Sequence, residues 1–254
     1  MKKAINNFRV LAYNTIVEEI TITQNGFNEG YIDYLQRRVE ERFSFLPGAC
    51  TMQKNGGDCA LAFRTESAYC PYVRKFAEEN IADVIAIGYK YAFFERRLST
   101  PLLNAKQKRL LFTALVSADY QDDKSYALKR LRGFRSYSLD GVFHFRLQEL
   151  ARRWQSIADY VSEDLGESAL DGFLEFLTED GEGKLYVKDG KVYDGEYRLL
   201  SKSRLTGEES TIGEILLGNA EHIYCFGETE RETAAFLRQY YGSKAVFCSN
   251  IRQS

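Results

Sequence analysis

The residues that could do chemistry gather in SLDGVFHFRLQEL, residues 138–150, and just beyond it. Arg146 and Arg153 lie seven residues apart, two helical turns, so a helix would place both guanidiniums on one side, where they could grip a phosphate or carboxylate through paired N–H contacts. Glu149 follows Arg146 by three residues, within reach of an ion pair. Asp140 and His144 are spaced i,i+4, which could orient an imidazole or hold a metal, but no third ligand or nucleophile accompanies them in the sequence. His144 falls away from the apolar face and reads as a surface residue, and His222 opens a strand. Five cysteines, Cys50, Cys59, Cys70, Cys225 and Cys248, contain no C-x-x-C pair, and their odd number suits free thiols in a reducing compartment. There is no G-x-S-x-G, Walker loop or G-x-G-x-x-G, so acyl and nucleotide chemistry have no local support, and neither a metal nor a cofactor is expected.

The element that must position these residues is a helix. Leu139, Phe143, Leu147, Leu150, Trp154, Ile157, Val161 and Leu165 recur at spacings of three and four, which predicts one apolar face over seven turns. Ser138 is the expected N-cap, and Asp140 favours the positive end of the helix dipole. On that wheel Arg146 points into the apolar arc. It should therefore bury its stem and pair with Glu149 or with a carboxylate from another helix; the alternative is an anion site shared with Arg153.

The run L-D-G-V-F-H-F-R-L, followed by an acidic helix, a short β-rich connection and a final I-Y-C-F and A-V-F-C unit, resembles the YtxC-like family of sporulation proteins. The pattern maps onto Leu139, Asp140, Gly141, Val142, Phe143, Phe145, Arg146 and Leu147, and the order of regions agrees over most of the chain. The resemblance implies an intracellular protein of spore-forming bacteria and supplies a context without a reaction. Members often end in a small cysteine cluster, whereas here Ser249 and Asn250 follow Cys248, which argues against a metal or redox role for the tail.

Elsewhere the pattern predicts an α+β fold in three regions. Residues 1–64 read as a small α+β region: a strand over residues 10–23, a helix over residues 30–43 and a hairpin around Asn55, Gly56 and Gly57. Residues 65–180 read as a bundle of four or five helices. In it a long helix begins near Pro71 and ends at Pro101, and Asn104 caps the next. Residues 181–254 read as an α/β region: a hairpin turning at Asp189 and Gly190, a strand at EYRLLS, a short helix at TIGEILLGN, and a closing β-α-β unit whose helix is capped by Thr229 with Glu232. Cys225 and Cys248 should lie on neighbouring strands as small core residues. The most apolar stretch, residues 81–94, contains Asp83 and Lys90 and is shorter than the ~20 residues that cross a bilayer, so no membrane span is expected. No export signal is predicted either, because Asn6, Asn7 and Arg9 interrupt the start of the chain.

Charge is segregated. Residues 1–88 hold 10 Lys and Arg against 11 Asp and Glu, residues 89–153 hold 14 against 6, and residues 154–254 hold 10 against 19. The basic middle presents Arg96, Arg97, Lys106, Lys108, Arg109, Lys129, Arg130, Arg132 and Arg135 near Phe134 and Tyr137, a composition that could follow a nucleic-acid backbone. The acidic end could instead cover it, within the molecule or between copies. The leading expectation is a cytoplasmic, non-enzymatic interaction or regulatory protein of sporulation, with a protein partner or a second copy of itself. A nucleic-acid-binding protein using the basic helices is the alternative, and an enzyme or sensor for an anionic metabolite is the third.

Overall fold

The computed structural model describes residues 17–25, 29–46, 48–134 and 136–248. The chain has an α+β fold with two four-stranded sheets around a helical centre. In β1 (Val17–Asn25) alternate residues Ile20, Ile22 and Gln24 face inward, the period of two that a half-buried strand requires. The hairpin of β2 (Gly48–Asn55) and β3 (Asp58–Glu66) turns at Gly56 and Gly57 as predicted, and β3 pairs antiparallel with β1. Helix α1 (Glu29–Phe43) covers this sheet with Ile32, Leu35 and Val39. Its other face is polar, as water demands: Glu19 stands opposite Arg64, and their side chains pair at 2.6 Å. The expected strand over residues 10–23 is seen from Val17 onward; residues 10–16 lie outside the described residues.

One long helical element crosses the centre. Helix α2 (Cys70–Asp83) passes through a π-helical segment (Val84–Tyr89) into α3 (Lys90–Arg97). Pro71 sits in its first turn as expected, but the helix stops at Arg97, where Leu98 turns extended, and not at Pro101. Around it lie α4 (Ala105–Ala118), closed by a capping box between Asn104 and Gln107, and α5 (Tyr120–Leu131). Strand β4 (Ser136–Ser138) then leaves the bundle and pairs parallel with β1. Through it the first two regions share a sheet, and the buried apolar residues form one core cluster through all three.

The predicted seven-turn helix is two helices. Helix α6 (Leu139–Arg146), capped by Ser138, ends at Leu147, whose φ of −119° and ψ of 25° break the helix, and α7 (Gln148–Tyr160) starts afresh. Phe143 and Trp154 are eleven residues apart, about 16 Å along a straight helix, yet their rings stack with centroids 5.4 Å apart. The chain folds back at Leu147 to make that contact. Helix α8 (Glu167–Glu179) follows.

The C-terminal sheet has the order β6-β5-β7-β8. Strands β5 (Lys184–Lys188) and β6 (Lys191–Tyr193) form the expected hairpin, with Asp189 and Gly190 at φ of 51° and 72°. Two consecutive left-handed residues match the twist of a two-residue turn, which favours Asp-Gly. Helix α9 (Thr211–Gly218) leads to β7 (His222–Phe226), and α10 (Arg231–Tyr240) to β8 (Ala245–Cys248), parallel as the β-α-β expectation required. EYRLLS is not a strand; it makes a single bridge between Tyr193 and Leu199. Thr229 does not cap α10, whose cap position is Glu230 without a side-chain bond.

A Cβ added at Gly88 would lie 2.5 Å from the ring of Tyr31, which is itself stacked on Tyr89. Gly88→Ala should therefore destabilise the fold by about 1–3 kcal/mol. At Gly172 in α8 nothing stands within 4 Å, so Gly172→Ala should stabilise by about 0.5–1 kcal/mol. Urea denaturation of the two variants should shift the midpoint in opposite directions.

Candidate functional site

The sequence-predicted residues do not converge on one site. Arg146, at the end of α6, is exposed, with its guanidinium 5.4 Å from the Phe134 ring centroid. Glu149 pairs instead with Arg152 at 3.0 Å. The buried ion pair expected for Arg146 is thus absent among the described residues, because the break at Leu147 removes Arg146 from the apolar face. Asp140 is a structural acceptor: it takes the Asn25 N–H at 2.8 Å and the Tyr89 hydroxyl at 2.7 Å, tying β1 to the central helix. Burial, and then that bond, raise the Tyr89 phenol far above its ordinary range. Arg153 does reach a carboxylate, Asp123 at 3.3 Å.

Asp123 belongs to the cluster that the sequence reading missed. Lys90 is fully buried, and its ammonium lies 2.9 Å from Asp123 and 3.4 Å from Asp119. The same Asp123 oxygen, Oδ2, accepts Trp154 Nε1–H at 2.7 Å, and Oδ1 faces Arg153. Seven residues earlier on the same central element, Asp83 accepts the Tyr120 hydroxyl at 2.5 Å and pairs with Lys124 at 2.7 Å. Asp83 and Lys90 flank the π-helical segment, so this segment aims both charges at α5. The signal was present: Asp83 and Lys90 are the two charges inside the most apolar stretch of the chain.

Two clefts adjoin this core. The first, about 290 Å³, is lined by Tyr34, Arg38, Ser203, Arg204 and Glu214. Arg38 is held by Asn80 at 3.3 Å and Glu41 at 3.4 Å, Arg204 by Glu209, and Glu214 accepts the Ser203 N–H at 2.6 Å. Burial raises the Glu214 carboxyl above its ordinary value, against the Ser203 and Lys202 N–H groups and the Lys202 charge. Burial also lowers the half-buried Lys202. The second cleft, about 420 Å³, lies among α4, α9 and α10. Across it Lys106 pairs with Glu232 at 2.8 Å and Arg109 with Glu208 at 2.6 Å, so acidic residues of the last region meet two of the predicted basic residues. Lys108 is half-buried, whereas Arg96, Arg97, Lys129, Arg130 and Arg132 are exposed. The guanidiniums of Arg97 and Arg130 lie over Phe93 and Tyr126. Arg135 lies outside the described residues.

The five cysteines are free. Burial pushes the Cys50 thiol up to about 12 and raises those of Cys70 and Cys225, which keeps them protonated and poorly nucleophilic. Cys225 is buried on β7 as expected, whereas Cys248, on the neighbouring β8, is half-buried on the opposite face of the sheet and is not a core residue, because its register is that of Phe226. Among the described residues no three His, Cys, Asp or Glu side chains gather as a metal site, and no helix is long and apolar enough to cross a membrane.

The arrangement most unlike an ordinary surface is the outer face of the C-terminal sheet. Register places Tyr186 beside Tyr193 and Tyr224, and Lys188 beside Lys191 and Phe226. Residues of the opposite parity, Leu185, Val187, Val192, Ile223 and Cys225, are buried, so the Tyr186 side is the outer one. Tyr197, from the connection after β6, stacks on Tyr186 with centroids 4.3 Å apart and planes 11° apart. Phe226 and Tyr224 lie 6.1 and 5.8 Å from Tyr186. The Tyr197 hydrogen bond, and then Lys184, lower the Tyr186 phenol. The chain matches no family model, no curated protein and no solved structure.

Loss of Asp123 leaves Lys90 buried with only Asp119, and Trp154 N–H without its acceptor. Loss of Lys90 leaves Asp123 held by Arg153 and Trp154. Asp123→Leu should therefore cost about 3–5 kcal/mol, as breaking a buried pair does, and Lys90→Met measurably less, both read by urea unfolding. Glu214, whose folded pKa is raised, contributes stability that is complete below the unfolded carboxyl value and lost as pH rises through the folded one. Between about pH 4 and pH 8 the wild type should lose stability relative to Glu214→Gln; a difference that stays flat with pH would show that the N–H groups offset burial.

Proposed function

We propose that the chain is a cytoplasmic, non-enzymatic interaction protein acting in sporulation, the context its family resemblance implies. The observation that supports a binding role is the outer face of the C-terminal sheet. Tyr197 and Phe226 are 67% and 38% exposed there, beside exposed Val246 and half-buried Tyr224, while Tyr186 lies buried under Tyr197. Grouped aromatic rings left in water mark a surface that is covered in use. The N-terminal sheet serves as an internal contrast, since its outer face carries Glu19, Thr21, Thr23 and Arg64. The buried charges, by comparison, are engaged by partners inside the fold, which favours a scaffolding role for them.

The test is capture from sporulating cells with tagged full-length chain, beside the double variant Tyr197→Ala/Phe226→Ala. The variant loses the stack on Tyr186, so it should unfold with a free energy lower by about 1–2 kcal/mol and remain folded. A macromolecule retained by the wild type and lost by the variant is the expected result. Equal recovery by both would remove this face from the function.

A further inference from the structure

We infer that the outer face of the C-terminal sheet binds single-stranded nucleic acid, with bases stacked on Tyr197 and Phe226 and the phosphate backbone held by Lys184, Lys188 and Lys191. This rests on the binding role proposed for the same face and names the partner.

Charge is the first argument. The last region is strongly acidic, with 10 Lys and Arg against 19 Asp and Glu from residue 154 onward. Yet the strand positions on this face, read from the register, are Lys184, Tyr186, Lys188, Lys191, Tyr193, His222, Tyr224, Phe226, Val246 and Cys248, without a carboxylate among them. In the covering connection Asp194 and Glu196 share Arg198, at 2.8 and 3.0 Å, which leaves one net negative charge there, and Asp189 stands in the turn between Lys188 and Lys191; the three lysines still outnumber these charges. Cations concentrated on one face of an acidic region fit a polyanion.

Ring geometry is the second. Tyr186 and Tyr197 already form a near-parallel stack, and the outer side of Tyr197 continues it. A purine or pyrimidine laid there extends the stack by one layer, and Phe226 on β7 offers a second surface 6.1 Å from Tyr186. Bases are accessible for such stacking only where they are not paired, which selects single strands over duplex. Lysine between the aromatics argues against a protein partner, because the cores of protein interfaces are depleted in lysine. The helical surface around Arg130 and Arg132 offers cations too, but there the guanidinium of Arg130 already covers the Tyr126 ring, at 3.5 Å from its centroid.

The test is fluorescence polarisation of full-length chain with labelled oligothymidylate and oligouridylate of about 12 nucleotides, beside a duplex of the same length. Both single strands should bind more tightly than the duplex. With three lysines engaged, the logarithm of affinity should fall with the logarithm of salt at a slope of about −2. Tyr197→Ala and Phe226→Ala should each weaken binding roughly tenfold, and Lys188→Glu/Lys191→Glu should weaken it and flatten the salt slope, each variant remaining folded by circular dichroism. Absence of binding at low salt would overturn the inference. So would binding that is lost in Lys129→Glu/Arg130→Glu/Arg132→Glu and kept in the face variants. If oligonucleotides fail to bind but capture from cells still depends on Tyr197 and Phe226, the nucleic-acid partner is wrong and the binding face stands; if neither depends on them, both fall.

Discussion

A fully buried lysine constrains this structure more than any other single group. Taking an ammonium out of water costs several kcal/mol unless carboxylates and hydrogen bonds replace its hydration. Asp123 at 2.9 Å and Asp119 at 3.4 Å do so, and both belong to the start of α5. Trp154 and Arg153 on α7 complete the shell of Asp123. The central helix, α5 and α7 can therefore meet only in the register that closes this cluster. Asp83 and Lys124 repeat the pairing with reversed sign nearby, so sliding α5 along the central helix would leave two buried charges unpaired.

The same cluster accounts for the break at Leu147. Trp154 must bring its indole N–H to Asp123 while its ring closes the aromatic series Tyr31, Tyr89, Phe143 and Trp154, whose neighbouring centroids lie 4.9–5.5 Å apart. A continuous helix would hold Phe143 and Trp154 three turns apart. Burying both rings against one wall is worth more than one uninterrupted turn of backbone hydrogen bonds, since each aromatic side chain withdraws a large apolar area from water. Arg146 is left at the corner, in solvent.

Two sheets of similar size then take different parts. The N-terminal sheet is sealed by α1 on one side and finished with threonine and an ion pair on the other. The C-terminal sheet buries its aliphatic side against helices and turns tyrosine, phenylalanine and lysine outward. The outward residues of the second sheet depart from the polar pattern of the first.

By itself the sequence determined the elements and their local chemistry. The periodicities of α1 and α4, of β1 from Val17 onward and of the β7-α10-β8 unit apart from its Thr229 cap, together with the Asn104 cap and the Asp189-Gly190 turn, depend on neighbours within a few residues and formed as read. Asp83 and Lys90 were legible as charges in an apolar helix, though not as partners of Lys124 and Asp123. Periodicity could not show that the apolar stripe from Leu139 onward would break, because Phe143 and Trp154 are equally apolar in either arrangement. The outer aromatic face was likewise hidden, since Phe226 reaches Tyr186 only through parallel pairing of β5 with β7, partners 38 residues apart, and Tyr197 only through the fold of the connection after β6. Which charges are buried, which helix bends and which side of a sheet meets water were decided by tertiary structure alone. Each depends on groups distant in sequence whose desolvation has to be balanced together.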